Sequence, residues 1–516
     1  MIARYAVKRS GRTSRSTPLL QFKPSQHLRH PRGTPSHHQG VFRKYVTVSW
    51  VPLSASLVDA SNPSSSKQDK KYDDEPLFRS RDRKAESSWG QVECRKFNTW
   101  ADKEAMVKCE KALVQIPPGA ERGLYAEDDI STGDMIVSVP SLMLLKVTNS
   151  PKEKCPTKGL VDEELWSSSP WYIRLAYLLL EKVKLQPSDW KPYISALPER
   201  FETPIHWNHD QLKDLHYPYL LERVDLQKAD LRRRCEAFKN GKSGISLSGG
   251  DFGRVIGAVA AASIFGVVSD VIISQNKRQF IMPVFADMAN HRSQAKDTQA
   301  DVNFWSGDVT VFAGSDVRKG DEIFFSYGAK SNDALLQYYG FVEENNPNDV
   351  YVFDSFEKKI EESRVIPSSS VSTRLKQLRD KGWSPALESV SLNAKGQPTL
   401  LSAKVLNLIF GTAEIDSYES VLEQTKRSTP SSSDLDGDDD GSPMLSKNAR
   451  TAMGLMCRAE LDQMPTSLEE DLSLYEELKT TVNDKDDEDS VALRKSMTVG
   501  FRIGKKRILT QCVSNS

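Results

Sequence analysis

The chain has 516 residues and a mass of 57.9 kDa, with 38% hydrophobic residues, 27% charged residues and a mean hydropathy of −0.50. This composition is typical of folded globular domains and excludes a collagen, a coiled coil or a fully disordered protein as a description of the whole chain. Lysine and arginine together number 70, as do aspartate and glutamate, so the formal net charge is zero. The sequence contains no run of about 18 apolar residues, so no membrane-spanning helix is predicted.

The charge is unevenly distributed, because the first acidic residue is Asp59 while residues 1–58 contain 10 Lys/Arg and 12 Ser/Thr. A basic, serine-rich start without acidic residues is typical of an organelle transit peptide, with a disordered basic tail as the alternative. We therefore expect residues 1–58 to direct the chain to a chloroplast or mitochondrion; a cytoplasmic location is the alternative. The remaining 60 basic (70 − 10) and 70 acidic residues give a net charge of −10, which argues against nucleic-acid binding.

After this start, composition predicts a disordered linker over 59–90, where Ser, Asp, Lys and Arg predominate. Short β-like runs follow at 114–117 and 135–139, and apolar residues at helical spacing predict an amphipathic helix over 170–184. Further helices are predicted at 209–240 and 251–268, and further strands at 279–284, 309–313 and 322–326.

The C-terminal part contains an acidic low-complexity stretch, 428–442, which predicts a solvated loop. It imitates the start of an EF-hand calcium loop, but Lys447 stands where the twelfth position requires Glu, so a calcium-regulated scaffold is disfavoured. Thr466 and Glu469 fit a capping box and predict a helix start. The basic run 502–507 lies between apolar residues and predicts a docked strand or helix end.

The six cysteines occur at positions 94, 109, 155, 235, 457 and 512. None forms a C-x-x-C pair and none has a histidine at zinc-finger spacing, so the pattern predicts reduced thiols in an intracellular compartment and no metal site.

Three separated stretches carry residue types suited to chemistry, although each alone has a plain structural explanation. Residues 117–126 contain a glycine turn, 287–291 end in Asn-His, and 319–341 form an aromatic-rich strand and the segment after it. In this order and spacing the three stretches resemble the SET-domain methyltransferase family. The similarity is greatest to the branch that includes the plastid Rubisco large-subunit lysine methyltransferases.

The resemblance implies an α+β fold: a SET-domain β-fold with a pseudoknot, followed by a mostly helical C-terminal substrate-binding domain. The SET domain is expected over 91–345, with a helical insert at about 160–268 that carries the sequence Trp190-Lys191-Pro192-Tyr193. The substrate-binding domain is expected over 346–516 and includes the acidic loop.

The resemblance also implies a reaction, the transfer of a methyl group from S-adenosyl-L-methionine to an amine of a protein substrate. Tyr327 matches the catalytic tyrosine, whose hydroxyl orients the amine. Asn290 and His291 match the pair that holds the cofactor. The loop that cradles the cofactor with backbone groups, where small residues allow close approach, comprises Ala120, Glu121, Arg122, Gly123 and Leu124.

Two further residues match positions at the substrate. Asp287 corresponds to a position near the acceptor, and Tyr339 to an aromatic wall of the lysine channel, to which Phe324 or Phe325 adds. An aromatic, apolar channel disfavours the ammonium form of lysine and so lowers the pKa of the amine.

One departure from the family pattern lies at Asp270, where the family carries an arginine that contacts the carboxylate end of the cofactor. Either Lys277 or Arg278 substitutes for it, or cofactor affinity is reduced. A protein-histidine methyltransferase of the same architecture and a non-catalytic SET-fold binding module are the alternatives to a lysine methyltransferase. We expect a monomer that binds a protein substrate, without nucleic acid, membrane or metal.

Overall fold

The computed structural model of the chain divides into two units, and all the residues that it describes lie in the second, Val46–Ser516. The described residues are 48–50, 90–118, 120–148, 150–157, 160–185, 187–197, 202–240, 267–269, 279–294, 299–302, 307–362, 368–411, 414–420, 445–483 and 490–516. The predicted linker before residue 90, Asp270, Lys277, Arg278 and the acidic loop 428–442 lie outside them.

The described residues contain twelve strands, most of them short: β1 Val48–Trp50, β2 Ala112–Gln115, β3 Gly123–Ala126, β4 Met135–Val139, β5 Leu144–Thr148, β6 Val267–Ser269, β7 Gln279–Pro283, β8 Gln299–Val302, β9 Val309–Phe312, β10 Glu322–Ile323, β11 Val350–Val352 and β12 Ser391–Asn393.

The α-helices of the same residues number fourteen: α1 Gln91–Lys103, α2 Glu163–Ser168, α3 Trp171–Leu185, α4 Pro187–Ala196, α5 His209–Lys213, α6 Pro218–Asn240, α7 Asn332–Ala334, α8 Phe356–Glu362, α9 Ser368–Asp380, α10 Ser384–Leu387, α11 Leu400–Phe410, α12 Lys447–Gln463, α13 Leu468–Asn483 and α14 Ser490–Ser514.

The strands pair antiparallel in four small sheets with orders β1-β6-β7-β5, β10-β3-β2, β4-β9-β8 and β11-β12. Two consequences of this topology concern the site. Strand β3, which begins at Gly123, lies between β2 and β10, so Leu124 pairs with Ile323. Strand β7 runs beside β5 and leads directly into the segment that contains Asn290.

The first hydrophobic core lies among these sheets and the helices that cover them. The rings of Trp171 on α3 and Phe280 on β7 stack with centroids 4.1 Å apart, and Phe97 on α1 stacks on Phe285 at 5.6 Å. Every residue of α3 from Trp171 to Leu180 is buried. The predicted helix over 170–184 is therefore present, but it is buried on all sides of this stretch and not amphipathic.

A second core joins the insert to the C-terminal helices. Trp207, Leu212 and Tyr217 of the insert are buried together with Trp383, Leu406 and Phe501, all from the C-terminal part. In contrast, the insert residues before Leu197 belong to the first core. The insert thus contributes to both cores and connects them.

Helix α14 carries the basic run 502–507 in its interior, so the predicted strand or helix end is wrong. Arg502 donates to both carboxylate oxygens of Asp471, and Lys506 donates to the same carboxylate at 2.6 Å. Lys505 donates to Asp333 at 3.1 Å and to Asp349 at 2.9 Å. These cations are buried because each has a carboxylate partner, as unpaired charges would not tolerate burial.

Three other local predictions differ from the structure. The helix predicted over 209–240 is divided into α5 and α6, because Pro218 begins a new helix. The helix predicted over 251–268 lies outside the described residues, except that Val267 and Val268 belong to strand β6. The capping box is shifted by one residue, since Ser467 and Glu470 exchange the two hydrogen bonds expected of Thr466 and Glu469.

Strand β1 bears on the predicted targeting segment. Val48–Trp50 pairs with Val267–Ser269, so this part of 1–58 belongs to a folded sheet. Removal of the whole predicted segment 1–58 would therefore take this strand out of the sheet. In the described part of the chain, no helix is long and apolar enough to cross a membrane.

Candidate functional site

Asn290, in the second of the three stretches singled out in the sequence, bonds to both of the others. Its side-chain amide Nδ2 donates to the backbone carbonyl of Arg122 at 2.9 Å and to Oε1 of Glu322 at 2.7 Å. The chain reaches Asn290 through Phe285, whose φ of +79° turns it sharply after β7. A bulky residue at this φ is strained, and such strain is common at functional sites.

The glycine loop approaches Asn290 closely because Gly123 has no side chain. A Cβ atom at position 123 would lie 2.4 Å from Oε1 of Glu322 and 3.1 Å from Nδ2 of Asn290. Ala120 and Glu121 are exposed, whereas Gly123 and Leu124 are buried in strand β3.

The Arg122 side chain points away from this loop and donates to the backbone carbonyl of Ala196 in the insert. The loop therefore offers exposed backbone at its tip and is fixed to the sheet and the insert at its base.

His291 and Tyr327 lie side by side although 36 positions separate them. The segment of Asn290 and His291 runs parallel to that of Phe325, whose N–H donates to the Asn290 carbonyl at 2.8 Å. The Tyr327 N–H donates to Nδ1 of His291 at 3.0 Å, and the two rings stack with centroids 4.6 Å apart. The structure thus brings together the histidine and the tyrosine that the sequence predicts to share a site.

Tyr327 is buried, with 4% of its surface exposed. Its hydroxyl donates to the backbone carbonyl of Ala289 at 2.8 Å. Burial raises the pKa of the Tyr327 phenol far above its ordinary value, so the phenol is uncharged at neutral pH. A neutral, fixed phenol can orient a reacting group by hydrogen bonding but cannot act as a phenolate.

An aromatic wall continues from Tyr327. The Tyr339 ring lies 5.5 Å from the Tyr327 ring, and Phe341 lies 6.4 Å from Tyr339 and 6.0 Å from His291, measured between centroids. Tyr339 ends a π-helical turn, Leu335–Tyr339, after which Gly340 adopts a φ of +77°.

Phe324 and Phe325 are the two residues expected to add to this wall. The Arg292 guanidinium lies 3.7 Å from the Phe324 ring centroid, and Phe325 is buried in the first core.

Asp287 is held on the insert side of the site. Tyr193 donates to its Oδ2, while its Oδ1 is buried without a hydrogen-bond partner among the described residues. Burial raises the pKa of Asp287 to about 7, against the lowering effects of the Tyr193 hydrogen bond and the Arg122 charge. The negative charge of Asp287 also contributes to the raised pKa of the Tyr327 phenol.

Sequence reasoning missed three polar residues of this site: Tyr193, Glu322 and Glu343. Tyr193 lies in the sequence that marks the insert and Glu322 in the third matched stretch, but neither was given a role. Glu343 accepts hydrogen bonds from the backbone and side chain of Ser293, which is itself 3.2 Å from the His291 ring. Its position two residues after Phe341 carried no indication of this contact.

The described residues show no cluster of three or more His, Cys, Asp or Glu side chains that could hold a metal ion. The five cysteines that the structure describes with their side chains are free thiols.

Comparisons with known families identify two consecutive domains. Residues 121–328 match the SET domain, and residues 386–509 match the Rubisco LSMT substrate-binding domain. The first match contains Gly123, Asn290, His291 and Tyr327, which meet in the site described above.

Curated relatives are similar to the chain at low identity. An actin-histidine N-methyltransferase of Drosophila melanogaster is 27% identical over 49% of this chain and 49% of its own length. The chloroplastic Rubisco large subunit N-methyltransferase of Pisum sativum is 25% identical over 80% of each chain. The human N-lysine methyltransferase SETD6 is 26% identical over 43% of this chain, and the alignment spans about half of its own length, 48%.

Solved structures give the same fold. The SET domain of LSMT bound to lysine and AdoHcy superimposes with a TM-score of 0.54 at 18% identity, covering 82% of this chain and 91% of that chain. Rubisco LSMT bound to AdoMet gives a TM-score of 0.53 with the same identity and coverage. The chain therefore contains a SET domain followed by a substrate-binding domain of the Rubisco LSMT type.

Proposed function

We propose that this chain is a protein-lysine N-methyltransferase that uses S-adenosyl-L-methionine. The observation that carries the proposal is the convergence of the Gly123 loop, the Asn290-His291 pair and Tyr327 beside an aromatic wall. Relatives that are named as lysine methyltransferases support the same assignment.

The residues of the site fit the cofactor. The backbone from Ala120 to Leu124, with Asn290 and His291, would hold it, and the absence of a side chain at Gly123 lets Asn290 lie directly against this loop. When bound, S-adenosyl-L-methionine supplies a methyl group on a sulfonium centre, to which an amine nucleophile can be aligned. What the protein contributes is this alignment and the exclusion of water.

Tyr327 and Tyr339 act on the incoming lysine. A free lysine has a pKa near 10.4 and arrives as an ammonium. The buried aromatic surroundings of Tyr327 disfavour this charged form. The Tyr327 hydroxyl stays protonated over the physiological pH range and positions the amine by hydrogen bonding. Tyr339 forms the adjoining wall of the channel.

Asp287 supplies negative charge at the substrate end of the site. Because its pKa is about 7, the carboxyl group is largely ionised above neutral pH and attracts the cationic side chain before the lysine loses its proton.

A histidine acceptor is the second candidate, and the actin-histidine N-methyltransferase relative favours it. That alignment covers half of each chain, whereas the alignment to the pea Rubisco enzyme covers 80% of each. We therefore place lysine first.

The C-terminal domain, residues 346–516, is proposed to bind the protein substrate, with the enzyme acting as a monomer and without nucleic acid. Chloroplastic relatives support an organelle location, with the targeting information in the residues before Val48.

The test uses the full chain, labelled S-adenosyl-L-methionine and an organelle extract, followed by mass spectrometry of modified peptides. We expect methyl-lysine on one or a few proteins, and loss of at least about 100-fold in turnover for Tyr327→Phe with cofactor binding retained.

Tyr475→Phe, on helix α13, is the matched control and is expected to leave turnover unchanged. Methyl-histidine as the product would favour the second candidate. Full turnover in Tyr327→Phe would contradict the role of this tyrosine.

A further inference from the structure

We propose that Ser293 and Glu343 are positioning residues that fix the tautomer of His291 and thereby hold the main chain at Tyr327. The inference rests on the proposed function for its consequence in catalysis, but the tautomer itself is a property of the folded chain.

The first step concerns Nδ1 of His291. The backbone N–H of Tyr327 lies 3.0 Å from this nitrogen and can only donate, so Nδ1 must carry a lone pair and no proton. The His291 side chain has no exposed surface, and burial lowers the pKa of the imidazole, so the ring is neutral at neutral pH. A neutral imidazole then carries its single proton on Nε2.

The second step concerns Nε2. It lies 3.2 Å from the hydroxyl oxygen of Ser293. That hydroxyl gives its only proton to Oε2 of Glu343, because an ionised carboxylate can accept but not donate. The Ser293 oxygen is left as an acceptor for the Nε2 proton, so both ring nitrogens independently require the same tautomer.

The other tautomer has a partner within reach. The Phe325 carbonyl oxygen lies 3.3 Å from Nδ1 of His291 and would accept a proton placed there. That arrangement would turn two N–H groups toward each other and break the hydrogen bond from Tyr327. The structure therefore offers two competing states, and the acceptor at Ser293 favours the one that holds Tyr327.

Both backbone polar groups of Glu343 bond to the side chain of Asn332. Its N–H donates to Oδ1 of Asn332 at 3.0 Å, and its carbonyl accepts from Nδ2 of Asn332 at 3.1 Å. Asn332 is buried and bonds to Asp349, which accepts from Lys505 of helix α14. A continuous series of hydrogen bonds, which we call the relay, therefore links helix α14 to the ring of His291. Its members are Lys505, Asp349, Asn332, Glu343, Ser293 and His291.

The experiment measures the tautomer by ¹⁵N NMR of the histidine side chains in the full chain, and in parallel measures kcat and the Kd for S-adenosyl-L-methionine. In the wild type we expect His291 protonated at Nε2 only. In Ser293→Ala and Glu343→Leu we expect both tautomers and a fall in kcat of about 10-fold or more, as for other residues that orient a functional imidazole.

Conservative variants separate this role from a loss of packing. Glu343→Asp keeps both carboxylate oxygens that accept from Ser293 and is expected to retain the single tautomer and most of kcat. The double variant Ser293→Ala/Glu343→Leu should be no worse than either single variant, because the two residues act as one unit. Glu344→Leu, at a neighbouring carboxylate that pairs with Lys479 at 2.8 Å, is the matched control and should change neither quantity.

A wild-type His291 protonated at Nδ1, or a single Nε2 tautomer that persists in Glu343→Leu with kcat unchanged, would overturn the inference. The NMR result needs no turnover. If the chain transfers no methyl group but the tautomers of His291 are as expected in the wild type and the variants, the proposed function is wrong and the inference about Ser293 and Glu343 is retained.

Discussion

Gly123→Ala is the sharpest test of how the cofactor loop is built. The added Cβ atom would lie 2.4 Å from Oε1 of Glu322, well inside the distance at which carbon and oxygen can approach. The Glu322 carboxylate is the end of a flexible side chain, so it will move rather than the backbone. That movement separates it from Nδ2 of Asn290, to which it is now bonded at 2.7 Å.

The expected loss of free energy follows from the broken hydrogen bond between Asn290 and Glu322. A hydrogen bond to a charged group contributes about 1.5–3 kcal/mol. This bond holds Asn290 where it is proposed to contact the cofactor, so binding of S-adenosyl-L-methionine should lose at most this free energy, which at about 1.4 kcal/mol for each factor of ten is up to roughly 100-fold. The free energy of unfolding should also fall, by less than the full amount, because the displaced carboxylate is only half-buried and can reach water.

Isothermal titration calorimetry of the full chain measures this loss, with Gly90→Ala as control because its new Cβ would have its nearest neighbour at 3.4 Å. The decisive comparison is Gly123→Ala in a Glu322→Ala background. Removal of the carboxylate removes the clash, so the glycine substitution should then cost little. An equal loss in both backgrounds, or wild-type affinity in Gly123→Ala, would refute the explanation.

Two other predictions concern buried charges. The native state keeps Asp287 protonated up to about pH 7 while the unfolded chain ionises near pH 4, so this residue lowers stability as pH rises between these values. Asp287→Asn should therefore stabilise the fold at pH 8 by up to roughly 4 kcal/mol while lowering turnover, as urea unfolding at pH 4 and pH 8 would reveal; equal effects at both pH values would contradict this. Lys505→Met leaves Asp333 and Asp349 without their buried partner and should reduce the free energy of unfolding by about 3–5 kcal/mol. Lys479→Met, which breaks the exposed pair with Glu344, should cost less than about 1 kcal/mol in the same denaturation experiment.

The sequence predicted the architecture and the members of the site better than the local structure. The SET domain and the C-terminal substrate-binding domain are confirmed, since three short motifs in a fixed order are specific even when each alone is weak. The motifs also included Asn290, His291 and Tyr327, which the structure brings together. The roles given to them remain predictions.

What the sequence could not predict depends on contacts between distant segments. Apolar spacing identified α3 as a helix, but the burial of every residue from Trp171 to Leu180 results from packing against β7 and the rest of the first core. Tyr193 and Glu343 were missed because their partners, Asp287 and Ser293, lie 94 and 50 positions away. The basic run on α14 suggested an element end, and only the facing carboxylates explain how its cations are buried.

The buried lysine of helix α14 has a consequence for synthesis of the protein. Asp333 and Asp349 lie at the edge of the SET domain, yet their countercharge, Lys505, is translated more than 150 residues later. Until helix α14 has been synthesised, the two carboxylates have no buried lysine as a partner. A nascent chain that ends before residue 505 thus lacks the countercharge of both carboxylates.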